Sequence, residues 1–302
     1  PCSPICLISP FYNPMESRVV PYQITRLARL GVLLLILVVG CSVQAEVLSA
    51  TSPSCFDSVR DHARLLATKP YQAPVSLDEA QLQHLNYDES RKLRFRPEKT
   101  LWRAEQLPFQ LELLPPSLSF KRPVHLYTWE QGQAIAIPFS TDYFESSELL
   151  NGVAGDDAGF TGFRILYPLK KGEFHKEFMV FQGGTYFRGR SDEQVYGIST
   201  RGLALNTEFE KMEEFPDYTA FWIEKPKMDA TSLTVCALLD SPSVTGVSQF
   251  VISPSASTSA EVRTVLYWRH TNTKVGIAPL TSMYFHGENS VVAHGDYRPE
   301  VH

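Results

Sequence analysis

Residues 233–268 read LTVCALLDSPSVTGVSQFVISPSASTSAEVRTVLYW, and this stretch decides the fold class. Three runs of β-branched, aromatic and other apolar residues alternate here with the polar clusters DSPS and SPSAS. Short runs of this kind, bounded by Pro, Ser and Asp, are typical of β-strands joined by turns. The stretch therefore predicts consecutive short strands rather than helices.

The same pattern extends towards the N-terminus as far as residue 124. Gly, Pro, Ser and Asp clusters again separate the runs. Many short strands with turns between them favour a β-sandwich over alternating α/β units, so we expect a mainly β fold. The predicted strands lie at residues 124–129, 134–139, 163–169, 178–181, 233–239, 249–253 and 262–268.

Two short helical patterns precede the strands. Apolar residues recur on one helix face in residues 56–66, and Pro70 ends that run. Ser76 and Glu79 have the spacing of a capping box, which predicts a second helix through residues 82–85. Together the two patterns predict a short helical N-terminal corner.

Residues 18–45 have the three parts of a secretory signal: a basic start, an uncharged apolar run at residues 30–40 and a small-residue exit at residues 43–45. A membrane-spanning helix needs about 18 or more apolar residues, and this run is shorter, so a cleaved signal is favoured. Cys41 follows Gly40 in the pattern of lipoprotein processing, which leaves a lipid tether as a second route to the membrane.

The exported part of the chain is acidic. Met15 is the first methionine and we take it as the start, so residues 1–45 comprise an upstream segment and the signal. The remaining domain, residues 46–302, carries 25 Lys and Arg against 32 Asp and Glu. Such a surface repels nucleic acid and anionic lipid, so we expect neither as a partner.

Residues 46–302 retain two cysteines, Cys55 and Cys236. Two are too few for a disulfide framework. An oxidising compartment permits one bridge between them, and buried free thiols are the alternative. We favour the thiols.

The sequence lacks several common catalytic motifs. It contains no Gly-x-Ser-x-Gly elbow, no phosphate-binding loop and no Cys or His pair at the spacing of metal ligands. The sequence therefore gives no support for a triad-type hydrolase, a nucleotide enzyme or a zinc site. We predict neither a metal nor a cofactor.

Polar residues lie among aromatic residues in GGTYFR at 183–188 and YGISTRG at 196–202. A pyranose ring offers apolar C–H faces and a rim of hydroxyls, so aromatic rings beside Arg and carboxylate groups suit it. This reading makes Tyr186, Arg188 and Arg201 candidate sugar contacts. An equal alternative is that the tyrosine is buried in the core and that the arginines form structural ion pairs.

Asp240 ends an apolar predicted strand, where a side chain faces a cleft or caps a turn. A glycosidase needs two carboxyl groups flanking the scissile bond. Nothing local pairs any two of the available acids, so no catalytic residue is assigned. From residue chemistry alone the chain is an exported β protein with a candidate carbohydrate face.

Eight collinear stretches of the sequence resemble the periplasmic glucan biosynthesis proteins G and D. They extend over almost the whole exported part, and eight ordered matches are far more specific than any short motif. The stretches are NYDESRKLRFRPEKTLW, GFTGFRILYPL, GGTYFRG, QVYGISTRGLAL, EEFPDYTAFWIEKP, LTVCALLDSPSVTG, VGIAPLTSMYFHGEN and DYRPEVH.

The resemblance implies a large antiparallel β-super-sandwich like that of galactose mutarotase, followed in complete members by an immunoglobulin-like domain. On this basis residues 46–302 form an incomplete glucan-binding sandwich domain, an N-terminal fragment without the second domain. The family acts on osmoregulated periplasmic glucans with a β-1,2-linked backbone, so the implied partners are a β-glucan polysaccharide and a membrane glucan synthase. The implied location is the periplasm.

The resemblance also implies a substrate groove. In the family, the general base follows the segment that matches residues 298–302 and the general acid lies far beyond it, so this chain holds no catalytic pair. The matching positions that we place on the groove are Tyr186, Arg188, Arg201, Asp240, Thr281, Ser282 and His302.

Three functions are compatible with these expectations. In the first, the complete protein cleaves or transfers the glucan backbone as a glycosidase or transglycosylase. In the second, it is a noncatalytic glucan-binding or scaffold protein of the synthesis machinery. A sugar mutarotase is the third, and it rests on the fold alone.

Overall fold

All strands predicted between residues 124 and 268 have counterparts in the computed structural model. The structure describes residues 53–280 apart from 79, 154–157, 171, 195–196, 208–212 and 272–273. The predicted signal and Cys41 lie outside these residues. The strands are β1 Gln110–Leu114, β2 His125–Glu130, β3 Gln133–Ala136, β4 Gly162–Tyr167, β5 Lys176–Gln182, β6 Tyr186–Gly189, β7 Ile198–Arg201, β8 Leu203–Leu205, β9 Asp217–Glu224, β10 Leu233–Asp240, β11 Val244–Ser253, β12 Ser259–Trp268 and β13 Val275–Ile277.

Helices are few and short in the described part of the chain. The α-helices are α1 Cys55–Leu66 and α2 Tyr87–Ser90, and the 3₁₀ helices are Pro97–Lys99, Thr141–Tyr143 and Ser147–Leu150.

Two larger sheets contain most of the strands. A five-stranded sheet has the order β1-β4-β5-β6-β7, and a six-stranded sheet has the order β12-β11-β10-β9-β2-β3. β8 and β13 form a separate pair. Neighbouring strands run antiparallel except β2 and β9, which are parallel with His125 opposite Ala220. Parallel neighbours need a long connection, and here that connection contains β4 to β7, four of the five strands of the five-stranded sheet.

The two larger sheets pack face to face through aromatic rings. Phe163 of β4 lies 5.1 Å from Phe221 of β9, and Phe181 of β5 lies 5.0 Å from Phe250 of β11, measured between ring centroids. All four side chains are buried. This group is called the inter-sheet core below. It confirms the predicted mainly β fold of the sandwich type.

Helix α1 covers the outer face of the six-stranded sheet. Its N-cap Ser54 accepts a hydrogen bond from the Asp57 N–H at 3.1 Å, and Phe56 and Val59 are buried. The first predicted helix is therefore confirmed.

The expectation of free thiols at Cys55 and Cys236 is wrong. The two residues form a disulfide, with Cα atoms 6.3 Å apart. They are 181 residues apart in the chain, and the packing of α1 on β10 brings them together. The bridge joins the helix covalently to the sheet that it covers.

The predicted second helix is also wrong, because residues 80–84 form turns. The Asp78 N–H donates to Gln81 Oε1 at 2.9 Å, and the Gln81 N–H donates to Asp78 Oδ1 at 2.8 Å. The Leu85 N–H donates to the Leu82 carbonyl at 2.9 Å, one residue short of an α-helical bond. Both leucines are buried, so tertiary packing fixes the turns in place.

Candidate functional site

A cavity of about 400 Å³ opens where the segment before β2, the turn before β6 and the start of β9 meet. Aromatic, aliphatic and charged side chains share its lining. It is called the cavity below. The lining residues used here are Phe120, Arg122, Val124, Gly183, Gly184, Tyr186 and Asp217.

A two-glycine turn positions Tyr186 at the wall of the cavity. Gly183 and Gly184 have φ values of +75° and +54°, in the left-handed region that favours glycine. A Cβ atom on Gly183 would lie 2.7 Å from the Phe120 ring, so a larger residue does not fit. The Tyr218 N–H donates to the Gly184 carbonyl at 3.0 Å, which anchors the turn to β9.

Arg201 holds the Tyr186 hydroxyl. The two residues lie opposite each other on β6 and β7, and Arg201 Nε donates to Tyr186 Oη at 2.9 Å. Its Nη1 and Nη2 donate to Glu213 Oε1 at 2.9 and 3.0 Å. The guanidinium also lies 4.4 Å from the centroid of the Phe215 ring. With only 12% of its side chain exposed, Arg201 fixes the orientation of the tyrosine.

A second arginine pairs with the single carboxylate of the described cavity lining. Arg122 Nη1 donates to Asp217 Oδ2 at the start of β9. Burial raises the pKa of Asp217, although the nearby Arg122 charge pulls that pKa down. More than half of the Arg122 side chain is exposed, so its remaining N–H groups are accessible from the cavity.

Asp240 lies beside this pair but outside the cavity lining. It is opposite Asp217 in the β9–β10 register. Its carboxylate accepts a hydrogen bond from Arg269 Nη1 at 2.6 Å, and Arg269 also donates to the Leu66 carbonyl at 3.0 Å. Burial raises the pKa of Asp240. The structure thus places Asp240 in an ion pair that ties the end of α1 to the sheet.

Arg188 follows Tyr186 by two residues, so both side chains are on the same face of β6. It is exposed, and Arg188 Nη2 donates to Glu177 Oε1 at 3.4 Å. The structure therefore brings Tyr186 and Arg201 into contact, with Arg188 on the same sheet face. The other predicted groove residues, Thr281, Ser282 and His302, lie outside the described residues.

Sequence reasoning missed Arg122 and Asp217. They are 95 residues apart, so spacing gives no sign that they meet. The only available signal was the position of Asp217 inside the matched stretch EEFPDYTAFWIEKP.

The described residues contain neither a candidate metal cluster nor a membrane-spanning helix. No group of three or more His, Cys, Asp or Glu side chains in this part of the chain could hold a metal ion. No helix within the same residues is long and apolar enough to cross a membrane.

The fold and the site define a β-sandwich protein with an aromatic, arginine- and carboxylate-lined cavity beside its sheets. The family model described as "Periplasmic glucan biosynthesis protein, MdoG" matches residues 55–302. The chain belongs to this family, whose description names both the periplasm and glucan biosynthesis.

Curated relatives agree with this assignment. The chain is similar to glucans biosynthesis protein G of Rhodopseudomonas palustris strain BisA53, at 42% identity over 85% of this chain and 52% of the relative. It is also similar to proteins of the same name from Ralstonia nicotianae, at 42% identity over 82% and 49% of the two chains, and from Vibrio cholerae, at 40% over 82% and 45%. The chain spans about half the length of the curated relatives that it matches.

Proposed function

We propose that the cavity binds a segment of a β-1,2-linked glucan backbone, and that the complete protein acts on this backbone as a glycosidase or transglycosylase. One observation carries the proposal: Tyr186 is fixed by Arg201 at the wall of a cavity that also contains the Arg122–Asp217 pair. The description of the family names glucan biosynthesis, and the β-1,2-linked backbone is what the sequence resemblance implies.

The chemistry of the cavity suits a sugar. An aromatic ring packs against the C–H face of a pyranose, while guanidinium N–H groups and carboxylate oxygens bond its hydroxyls. The volume of about 400 Å³ is within the range of small-molecule sites. Because Arg201 fixes the ring before the ligand arrives, little conformational entropy is lost on binding.

Cleavage of the backbone needs a second carboxyl group. One group protonates the departing oxygen, and the other acts as base or nucleophile. Asp217 is the single carboxylate in the described cavity lining, and it is bonded to Arg122. The described lining therefore does not supply a catalytic pair, and we propose that the general base and general acid implied by the resemblance belong to the complete protein.

The same observation favours a second function. A described lining with one carboxylate, held in an ion pair, suits glucan binding without cleavage. In this alternative the protein is a noncatalytic binding or scaffold component that presents glucan to a membrane glucan synthase.

Binding is tested by titrating linear β-1,2-glucan into the protein by isothermal titration calorimetry. Tyr186→Ala removes the aromatic wall and should cost about 1 kcal/mol, or roughly fivefold in Kd. Tyr127→Ala is the matched control, because this tyrosine stacks on Trp222 outside the cavity lining. Equal effects of the two variants, or unfolding of Tyr186→Ala by circular dichroism, would contradict the proposal.

Activity separates the two functions. Reducing ends released from linear β-1,2-glucan are measured for this chain and for a version extended through its reading frame. Release by the extended version alone supports the enzyme, and tight binding without release by either supports the scaffold. Turnover by residues 1–302 would overturn the assignment of the catalytic pair.

We also propose export to the periplasm with cleavage after Ala45, on the basis of the signal in residues 18–45. Mass spectrometry of the periplasmic protein should give an N-terminus at Glu46. A lipid-modified N-terminus at Cys41 would contradict cleavage after Ala45 and would show instead that a lipid tethers the protein to a membrane.

A further inference from the structure

A second concave site lies outside the cavity. It is an open hollow of about 410 Å³ between α2, the segment that follows it and the turn after the 3₁₀ helix Thr141–Tyr143. It is called the distal hollow below. Its lining residues are Asp88, Arg91, Lys92, Arg94, Glu145 and Ser146, none of which lines the cavity.

Most charged groups of the distal hollow make no ion pair with another described residue. Within the described part of the chain, Lys92 pairs with Glu89 at 2.9 Å, while the two arginines and two carboxylates of the lining make no ion pair. Nearby Arg96 differs, because its Nε donates to the Phe144 carbonyl at 3.0 Å. Together with Glu89, the partner of Lys92, the hollow has three cations and three carboxylates, which are hydrogen-bond donors and acceptors respectively.

An aromatic ring and a hydroxyl add to this set. Tyr87 is 76% exposed, and the Arg91 guanidinium lies 5.9 Å from the centroid of its ring. Ser146 has a φ of +53° and occupies an N-cap position without making a capping bond. A non-glycine residue in this conformation carries strain, and such residues are concentrated at functional sites.

The floor of the distal hollow is fixed to the core. Phe95 pairs with Phe144 in an isolated bridge, and both side chains are buried, which leaves the adjacent Arg94 and Glu145 on the outer side. Phe144 packs on Phe160 at 6.2 Å between ring centroids. Phe160 pairs in turn with Val124, a residue of the cavity lining. The hollow and the cavity are therefore held at a fixed separation.

We propose that the distal hollow is a second carbohydrate site, which takes a neutral segment of the same glucan chain that occupies the cavity. The identity of this ligand rests on the proposed function. Balanced guanidinium and carboxylate groups do not select an anion, whereas alternating donors and acceptors beside an exposed ring match sugar hydroxyls and C–H faces. A polymer that engages both sites dissociates more slowly than one held by the cavity alone.

The proposal is tested with two ligands, a short linear β-1,2-linked glucan oligosaccharide and the long polymer. The variant is Tyr87→Ala combined with Arg91→Ala. The control is Lys99→Ala, which removes an exposed cation from the same segment but outside the hollow. Calorimetry of the wild-type protein should show two oligosaccharide sites per chain.

The double variant should retain one oligosaccharide site and lose about tenfold or more in affinity for the polymer, while the control behaves as wild type. Tyr186→Ala should weaken the cavity site roughly fivefold and leave the affinity of the distal hollow unchanged. A single wild-type site that is weakened by Tyr186→Ala and unaffected by the double variant would overturn this inference and leave the proposed function intact. Competition by inorganic phosphate at the hollow would also overturn it, in favour of an anion site. No oligosaccharide binding by the wild type would overturn both.

Discussion

The inter-sheet core and the cavity are built from the same strands but are held together differently. On β6, Tyr186 lies at the cavity, whereas the next residue, Phe187, lies 5.1 Å from Phe250 of the core. On β9, Asp217 lines the cavity and Phe221 packs in the core. Alternate side chains of β6 point to opposite faces, so its neighbouring residues serve different regions. On β9 the two residues are four apart, and the register with β10 shifts between them.

The difference between these regions separates stability from binding. Core rings are buried and make contact only with other apolar groups, so removing one leaves an unfilled space. Groups of the cavity are hydrogen-bonded to one another and remain partly accessible, so their loss should affect binding more than folding. The predictions below test this separation, beginning with the largest effect.

Removal of a core ring should cost the most stability. Phe181→Ala should lower the free energy of unfolding by about 3–5 kcal/mol, measured by urea denaturation. Phe174→Ala is the matched control, because that ring is 88% exposed, and its effect should be within about 0.5 kcal/mol. Folded Phe181→Ala should still bind glucan, and a selective loss of binding would show that core and cavity are coupled.

Removal of the disulfide should have the next largest effect. Replacing Cys55 and Cys236 by Ala should cost about 2–4 kcal/mol, because the bridge restricts a long loop in the unfolded chain. Reductant should shift the urea midpoint of the wild type and leave that of the double variant unchanged. Glucan binding should persist, since neither cysteine lines the cavity. A midpoint insensitive to reductant in the wild type would contradict a closed bridge.

Loss of the Tyr186 hydroxyl should have a smaller effect. Tyr186→Phe deletes the acceptor for Arg201 Nε but keeps the ring, so stability should fall by about 1 kcal/mol. Glucan affinity should fall less than in Tyr186→Ala. If the two variants lose affinity equally, the hydroxyl rather than the ring contacts the ligand.

The smallest effect concerns pH and Asp217. Burial raises the folded-state pKa of Asp217 above its unfolded value, so the folded state holds this proton more tightly. Relative to Asp217→Asn, the wild type should therefore be most stable below the unfolded pKa and lose that advantage as pH rises through the folded pKa. Urea denaturation of both proteins between about pH 3 and about pH 7 measures the difference. An advantage that grows with pH would mean that attraction to Arg122 outweighs burial.

The sequence predicts the fold better where strands are separated by clear turns. The strands from β10 to β12 follow directly from their apolar runs and Ser- and Pro-rich junctions. β9 does not, because its residues are buried on both faces and show no alternation. A run of this kind does not distinguish a buried strand from a helix. The turns at residues 80–84 are missed for a related reason, since tertiary contacts of their leucines override the capping signal.

The candidate site is predictable only in part. Tyr186 and Arg201 lie in short matched stretches, and their chemistry marks both as candidates before their contact is seen. The Arg122–Asp217 pair and the disulfide join residues far apart in the chain. The tertiary packing of the sandwich and of α1 on β10 brings such residues together, so local spacing does not predict them.

The parallel pairing of β2 with β9 has a consequence for folding kinetics. β2 can form a hairpin with β3 at once, but its other neighbour is added only after β4 to β8 have been made. An isolated two-stranded hairpin is marginally stable in water, and pairings between distant segments slow folding. Until β9 arrives, Tyr127 lacks its stacking partner Trp222 and stays open to contacts with other chains. During the interval between β2 and β9, a newly made chain is therefore exposed to aggregation.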